Sequence, residues 1–263
     1  MAGRREHQRR LDAARAIRDG ARTLPRLWAG SWAALVFLSL LMAVAPWVPA
    51  GGCGFYGAAL GLTGLGLWGG LTRLGVSPDV ASAEQLGLKP GGLQFGVTEL
   101  RILFAAFLNL LFLAMIGVVL GLVALALTGI AELNAGAVQT HDWAAVGPAW
   151  KLALLSVVGL VVVLIPLLLI VRLSLFSQAT VGRGHTVSLN TMGIAHGSFW
   201  PLVLLLLVAA APGLVLLLAA GWFGPAPLAL VLAVLAWVQA PWAAALMGAA
   251  YRQLEYWTPG GDA

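Results

Sequence analysis

Six long apolar runs divide this chain, at residues 28–48, 55–74, 102–130, 150–171, 200–222 and 228–250, and no charged side chain lies deep inside any of them. A helix crosses the hydrocarbon core of a bilayer, about 30 Å thick, with about 20 apolar residues. Each run has that length, so the chain reads as an all-α polytopic membrane protein with six transmembrane helices. The connecting segments are short and leave no room for a second globular domain. The same runs exclude a water-soluble fold. Hydrophobic residues make up 60% of the chain, charged residues 10%, and the mean hydropathy is +0.93, whereas soluble domains carry roughly 25% charged residues.

The net charge of +5 is unevenly placed. Eight of the fifteen basic residues precede the first run: Arg4, Arg5, Arg9, Arg10, Arg15, Arg18, Arg22 and Arg26. In that position they read as an orientation signal and a contact for anionic lipid headgroups, not as a nucleic-acid interface. Leu11, Ala14, Ile17, Ala21 and Leu24 recur among them at helical spacing, the pattern of a basic amphipathic arm lying on a membrane surface. The expected organisation is a basic arm at 1–26, a six-helix domain at 27–257 and a short tail at 258–263.

Six spans with a cytoplasmic arm place Arg73, Lys89, Arg101, Arg172, Arg183 and Arg252 on the same side as the arm. Only Lys151 falls opposite. The positive-inside rule is then met at every turn, with both termini cytoplasmic. The second run is glycine-rich and ambiguous by hydropathy, and this charge pattern is what argues for it. Its glycines four apart, Gly57 and Gly61, then Gly66 and Gly70, read as places where another helix approaches closely. Thirteen Arg against two Lys, with much Ala and Gly, points to a GC-rich bacterial gene and so to an inner membrane. Ala43-Val44-Ala45 resembles a cleavage site, but Pro46 follows it and the run is long enough to span, so the first helix reads as uncleaved. Cys53, the single cysteine, reads as an inert thiol.

Polar residues within the runs are sparse. Asn109 and Gln239 are the amides well inside them, and each suits a hydrogen bond to a neighbouring helix worth about 1 kcal/mol. Pro166, Pro212 and Pro241 interrupt the last three runs. Pro212, Pro241 and the two amides would also suit the broken helices of a transporter. Metal sites usually take three or four ligands, and His141-Asp142 has only Glu132 nearby in sequence, so it reads as a solvated loop, while His185 and His196 read as surface side chains. No catalytic constellation is present and no cofactor is expected.

Residues 172–201 are the most distinctive. Leu189, Met192, Ala195 and Phe199 fall on one helical face opposite Ser188, Asn190 and Thr191, which predicts an interfacial helix between spans 4 and 5. Ser198 is placed to cap the fifth span. The order Arg172-Leu173-Ser174, a glycine-containing turn, Ser188, then Gly197, Phe199 and Trp200 resembles the six-helix membrane domain family attached to some glycerophosphodiester phosphodiesterases. The interfacial helix here lacks that family's tryptophan and basic residues. The resemblance implies a membrane domain, and no support for hydrolysis, because that chemistry belongs to a separate soluble barrel of about 250 residues. The expected role is non-catalytic, as a scaffold, accessory or envelope-organising subunit with a membrane-protein partner or a second copy. The alternative is a small transporter or permease component for a neutral or apolar substrate.

Overall fold

The computed structural model describes residues 10–130, 135–142, 148–223 and 228–255. Arg4, Arg5, Arg9, Glu132 and the 258–263 tail lie outside the described residues. Every described element is a helix. In order they are α1 (Ala13–Val44), α2 (Cys53–Val76), α3 (Val80–Gln85), α4 (Val97–Ile130), α5 (Ala135–Gln139), α6 (Ala149–Leu173), α7 (Phe176–Arg183), α8 (Thr191–Ile194), α9 (Phe199–Phe223), α10 (Leu228–Val234) and α11 (Ala240–Leu254). A π-helical turn, Leu235–Gln239, joins the last two.

Five segments are long and apolar enough to cross a membrane: Ala13–Trp47, Val97–Leu127, Ala149–Arg183, Phe199–Ala219 and Val231–Leu254. Among the described residues, then, the chain is a multi-pass helical membrane protein with five spans by length and composition, against the six read from the sequence. The difference is α2. Its 24 residues give about 36 Å of helix, enough to cross, but eight glycines dilute its hydropathy.

The expected boundary between arm and first span is absent. Asp12 caps α1 by accepting from Arg15 N–H at 3.1 Å, and the helix then runs unbroken through Pro25 and Arg26 to Val44. The arm's buried positions are Leu11, Ala16 and Gly20, while Ala14 and Ala21 are exposed. A side chain at Gly20 would meet Leu246 of α11. The arm therefore packs on the protein itself, and its apolar face is rotated from the one read in the sequence.

The chain forms two compact units, Met1–Ala106 with Arg172–Ala263, and Phe107–Val171. In the first, α1 runs antiparallel to α2 and to α11. Tyr56 near the start of α2 donates to the Leu41 carbonyl late in α1 at 2.9 Å, and Asp12 N–H donates to Gln253 Oε1 at the end of α11 at 3.0 Å. Leu27, Leu35, Leu38, Leu67, Leu71 and Leu74 fill the space between them with Ala244 and Ala245. The alanines present little side chain, so the backbones come close. At Gly75 a Cβ would lie 2.5 Å from the Ala244 carbonyl oxygen. α9 lies against α11, where the Trp242 indole donates to the Val208 carbonyl at 2.9 Å.

Pro241 explains the π turn. It has no N–H for the Trp237 carbonyl four residues back. The Trp28 indole of α1 donates to that carbonyl instead, at 2.8 Å, and the Trp237 indole donates to Ser39 Oγ at 2.7 Å. The freed backbone group is satisfied by a neighbouring helix, which is what a lipid-embedded proline requires.

The second unit holds α4 from Phe107 onward, α5, and α6 as far as Val171. Leu110, Met115, Leu122, Leu160, Val163 and Leu167 are exposed. Such a surface is stable only in an apolar solvent. Lys151 Nζ sits 5.7 Å from the centre of the Trp150 ring.

The expected interfacial helix between spans 4 and 5 takes another form. Gly184 and Gly197 adopt positive φ, 68° and 77°, conformations that stop a helix. Between them only the four residues of α8 are helical. Thr191, placed on the polar face by periodicity, is buried and donates to the Ser188 carbonyl at 2.6 Å.

Candidate functional site

The polar groups of the first unit gather where α2 ends. A helix leaves its last carbonyls without partners, and cations there also meet the negative end of its dipole. Arg26 reaches across from α1 and donates to the carbonyls of Leu74 at 2.9 Å and Ser77 at 2.8 Å, and also to Pro78. Arg252 of α11 donates to the Gly75 carbonyl. Two arginines distant in sequence thus hold one helix end. Arg26, read as a headgroup contact, is instead part of the protein's own framework. Arg10, Arg15, Arg18 and Arg22 are exposed, with Arg15 Nε 3.7 Å from Asp19.

The largest departure from the sequence reading is Arg73. The runs appeared to hold no deep charge, yet Arg73 in the last turn of α2 pairs with Glu99 in the first turn of α4, their side chains 3% and 1% exposed. Arg73 Nε also donates to the Leu86 carbonyl at 2.9 Å. Glycine makes room for this pair, since a Cβ at Gly69 would lie 2.5 Å from Glu99 Oε1. Gly66 leaves the same space for the Gln94 carbonyl oxygen, at 2.5 Å. Gly70 faces the Gly92 carbonyl oxygen at 3.2 Å, so the second pair of spaced glycines admits the 90–94 loop rather than a helix, and Gly69 beside it admits the carboxylate. Gly57 and Gly61 have nothing within 4 Å.

Further ties extend this end. Arg101 of α4 donates to the Gly184 carbonyl after α7. Arg183 pairs with Glu255 beyond α11, its Nε donating to Oε1 at 2.6 Å. Leu11 N–H donates to Ser198 Oγ at 3.1 Å, so the serine expected to cap α9 holds the start of the arm. Asp79 caps α3 at the same end, accepting from Ser82 N–H at 2.7 Å. The backbone and hydroxyl hydrogen bonds of Ser82, helped by the charge of Arg26, hold the Asp79 carboxyl below the usual carboxylate range. The start of α1, the end of α2, the starts of α4 and α9, the end of α7 and the end of α11 therefore all meet at one end.

The other predicted residues are dispersed. Gln239 packs on α9, where a Cβ at Gly213 would lie 2.5 Å from its Oε1, and that oxygen has no hydrogen-bond partner. This brings Gln239, two residues before buried Pro241, beside the Pro212-Gly213 step of α9. Asn109 belongs to the second unit, is 6% exposed, and neither of its amide atoms has a partner. Of the motif positions, Arg172 and Trp200 are exposed, Ser188 is half-buried, and the Phe199 and Trp200 rings meet edge to face at 5.2 Å. His141, Asp142, His185 and His196 are exposed, and His141 adopts φ 59°. Among the described residues no group of three His, Cys, Asp or Glu side chains could hold a metal ion.

No protein-family model, no curated protein and no solved structure matches this chain.

Proposed function

We propose that this is a six-pass protein of the bacterial cytoplasmic membrane, with both termini cytoplasmic, serving as a non-catalytic scaffold or accessory subunit. The observation that carries the reading is the shared end. A chain that begins α1 there, returns at the end of α2, leaves again at α4, comes back by α7, leaves at α9 and ends with α11 makes three out-and-back pairs. That parity needs α2 as a crossing. It also agrees with fourteen of fifteen basic residues on one side, the side a positive-inside protein keeps in the cytoplasm. The scaffold role draws support from what the arginines do. Arg26, Arg73, Arg101, Arg183 and Arg252 bond to the chain's own carbonyls and carboxylates, so their charge holds helix ends in register. The long apolar surface of the second unit is what remains to meet lipid or a membrane partner. The likeness of residues 172–201 to the phosphodiesterase-associated membrane domains fits the same role.

A reporter enzyme active only in the periplasm tests the topology. Inserted at Gly51 it should be active; placed after Lys89 or at the C-terminus it should be silent. Activity after Lys89 or at the C-terminus would overturn the six-pass reading with cytoplasmic termini. A transporter for a neutral or apolar substrate is the second reading. It is favoured by the π turn before Pro241, a form common at functional sites, and by the unpartnered amide of Gln239 beside Gly213.

A further inference from the structure

At the start of α4 a groove of about 340 Å³ is walled by Val97, Leu100 and Phe104, with Arg101 and Thr186 at its rim. Val97, Leu100 and Phe104 repeat at helical spacing on one face and are 65%, 56% and 51% exposed. The rim is cationic. Among the described residues Arg101 bonds a neutral group, the Gly184 carbonyl, and has no ion pair. Glu99, two positions before it, pairs with buried Arg73, and Glu255 pairs with Arg183. His185, next to Thr186, is exposed and has its Nδ1 on the Arg183 carbonyl at 3.1 Å. The groove therefore joins an apolar wall to an uncompensated guanidinium and a hydroxyl.

We infer that this groove holds one anionic phospholipid, its phosphate on Arg101 and Thr186 and an acyl chain along Leu100 and Phe104. The inference rests on the membrane reading proposed above, which puts the first turn of α4 at the cytoplasmic interface. The guanidinium donors not engaged with Gly184 match phosphate oxygens in a planar fork. The cytoplasmic leaflet is the source of anionic headgroups, and a single arginine near its surface is attracted to them. The apolar wall selects a lipid over free phosphate, because Leu100 and Phe104 gain nothing from an inorganic ion.

The test uses the full chain in nanodiscs of phosphatidylglycerol or of phosphatidylcholine, with lipid retention read by native mass spectrometry after transfer to detergent. Equal incorporation into both discs tests the membrane reading, and failure to enter either would remove that reading and this one together. Given incorporation, one phosphatidylglycerol should be retained, and phosphatidylcholine, whose trimethylammonium offsets the headgroup charge that Arg101 meets, about tenfold less. Arg101→Gln should abolish that preference. Leu100→Trp fills the groove without touching the arginine, so it should lower retention even if Arg101→Gln does not fold. Equal retention of the two lipids, unchanged retention in Leu100→Trp, or displacement of the lipid by inorganic phosphate alone would each overturn the site.

Discussion

Gly75 of α2 occupies the place a Cβ on Gly248 of α11 would need, its carbonyl carbon and oxygen 2.3 Å from that point, and a Cβ on Gly75 would in turn lie 2.5 Å from the Ala244 carbonyl oxygen. Nothing flexible lies at that contact to give way. Gly248→Ala should destabilise the protein by about 1–3 kcal/mol, the usual range for overpacking. Gly117→Ala, at a position with nothing within 4 Å, should be neutral or slightly stabilising. Thermal unfolding in detergent compares the two, and equal effects would show that the crossing is looser than described.

The Arg73–Glu99 pair should behave as a buried ion pair. Removing one charge strands the other, so Glu99→Gln or Arg73→Met should each cost about 3–5 kcal/mol. Replacing both with apolar residues should recover most of that loss. A double-mutant cycle on unfolding free energy reads the coupling, and simple additivity of the two single substitutions would mean that the groups do not interact.

Asp79 supplies a pH dependence with a definite sign. Its carboxyl is held below the usual range by the Ser82 hydrogen bonds, against about 3.9 for an unfolded chain. A depressed carboxyl contributes stability that is full above the unfolded value and lost as pH falls through the folded one. The stability difference between wild type and Asp79→Asn should stay constant from neutral pH down to about pH 5 and shrink below about pH 4. A difference that grows on acidification would contradict the cap.

Cysteines at Asn109 and Gln239, placed singly in a Cys53→Ala background, separate scaffold from transporter. The scaffold reading expects both to resist water-soluble thiol reagents while reacting after denaturation. Rapid labelling of both in the native protein would favour a watered pathway.

The apolar runs identified five of the helices because their signal is local: length and hydropathy are properties of a window. Arg73 was misplaced because burial is not such a property. It stands at the end of a run, where a charge ordinarily faces headgroups, and its acid is 26 positions away. The trace it did leave was Gly69, which makes room for Glu99, beside Gly66 and Gly70, whose spacing reads as helix packing but which face the 90–94 loop. The carbonyl contacts of Arg26 were hidden for the same reason, since only the fold brings Leu74, Ser77 and Pro78 within its reach. The interfacial helix expected between spans 4 and 5 is cut short on local grounds. Its periodicity was fair, but Gly184 and Gly197 sit at positive φ and confine it to one turn.

The pairing of α1 with α11 bears on how the chain is made. Trp28 and Trp237 are 209 positions apart, and Asp12 and Gln253 are 241 apart. Synthesis at about 5–20 residues per second puts roughly 10–50 s between the appearance of these partners. Throughout that interval the face of α1 destined for α11 has only lipid, α2 or the insertion machinery beside it. Loss of the last helix should thus harm the first, leaving a truncated chain with α1 half-dressed and its Trp28 indole without the Trp237 carbonyl. Quality-control proteases, rather than the ribosome, would be the first to register that the protein is incomplete.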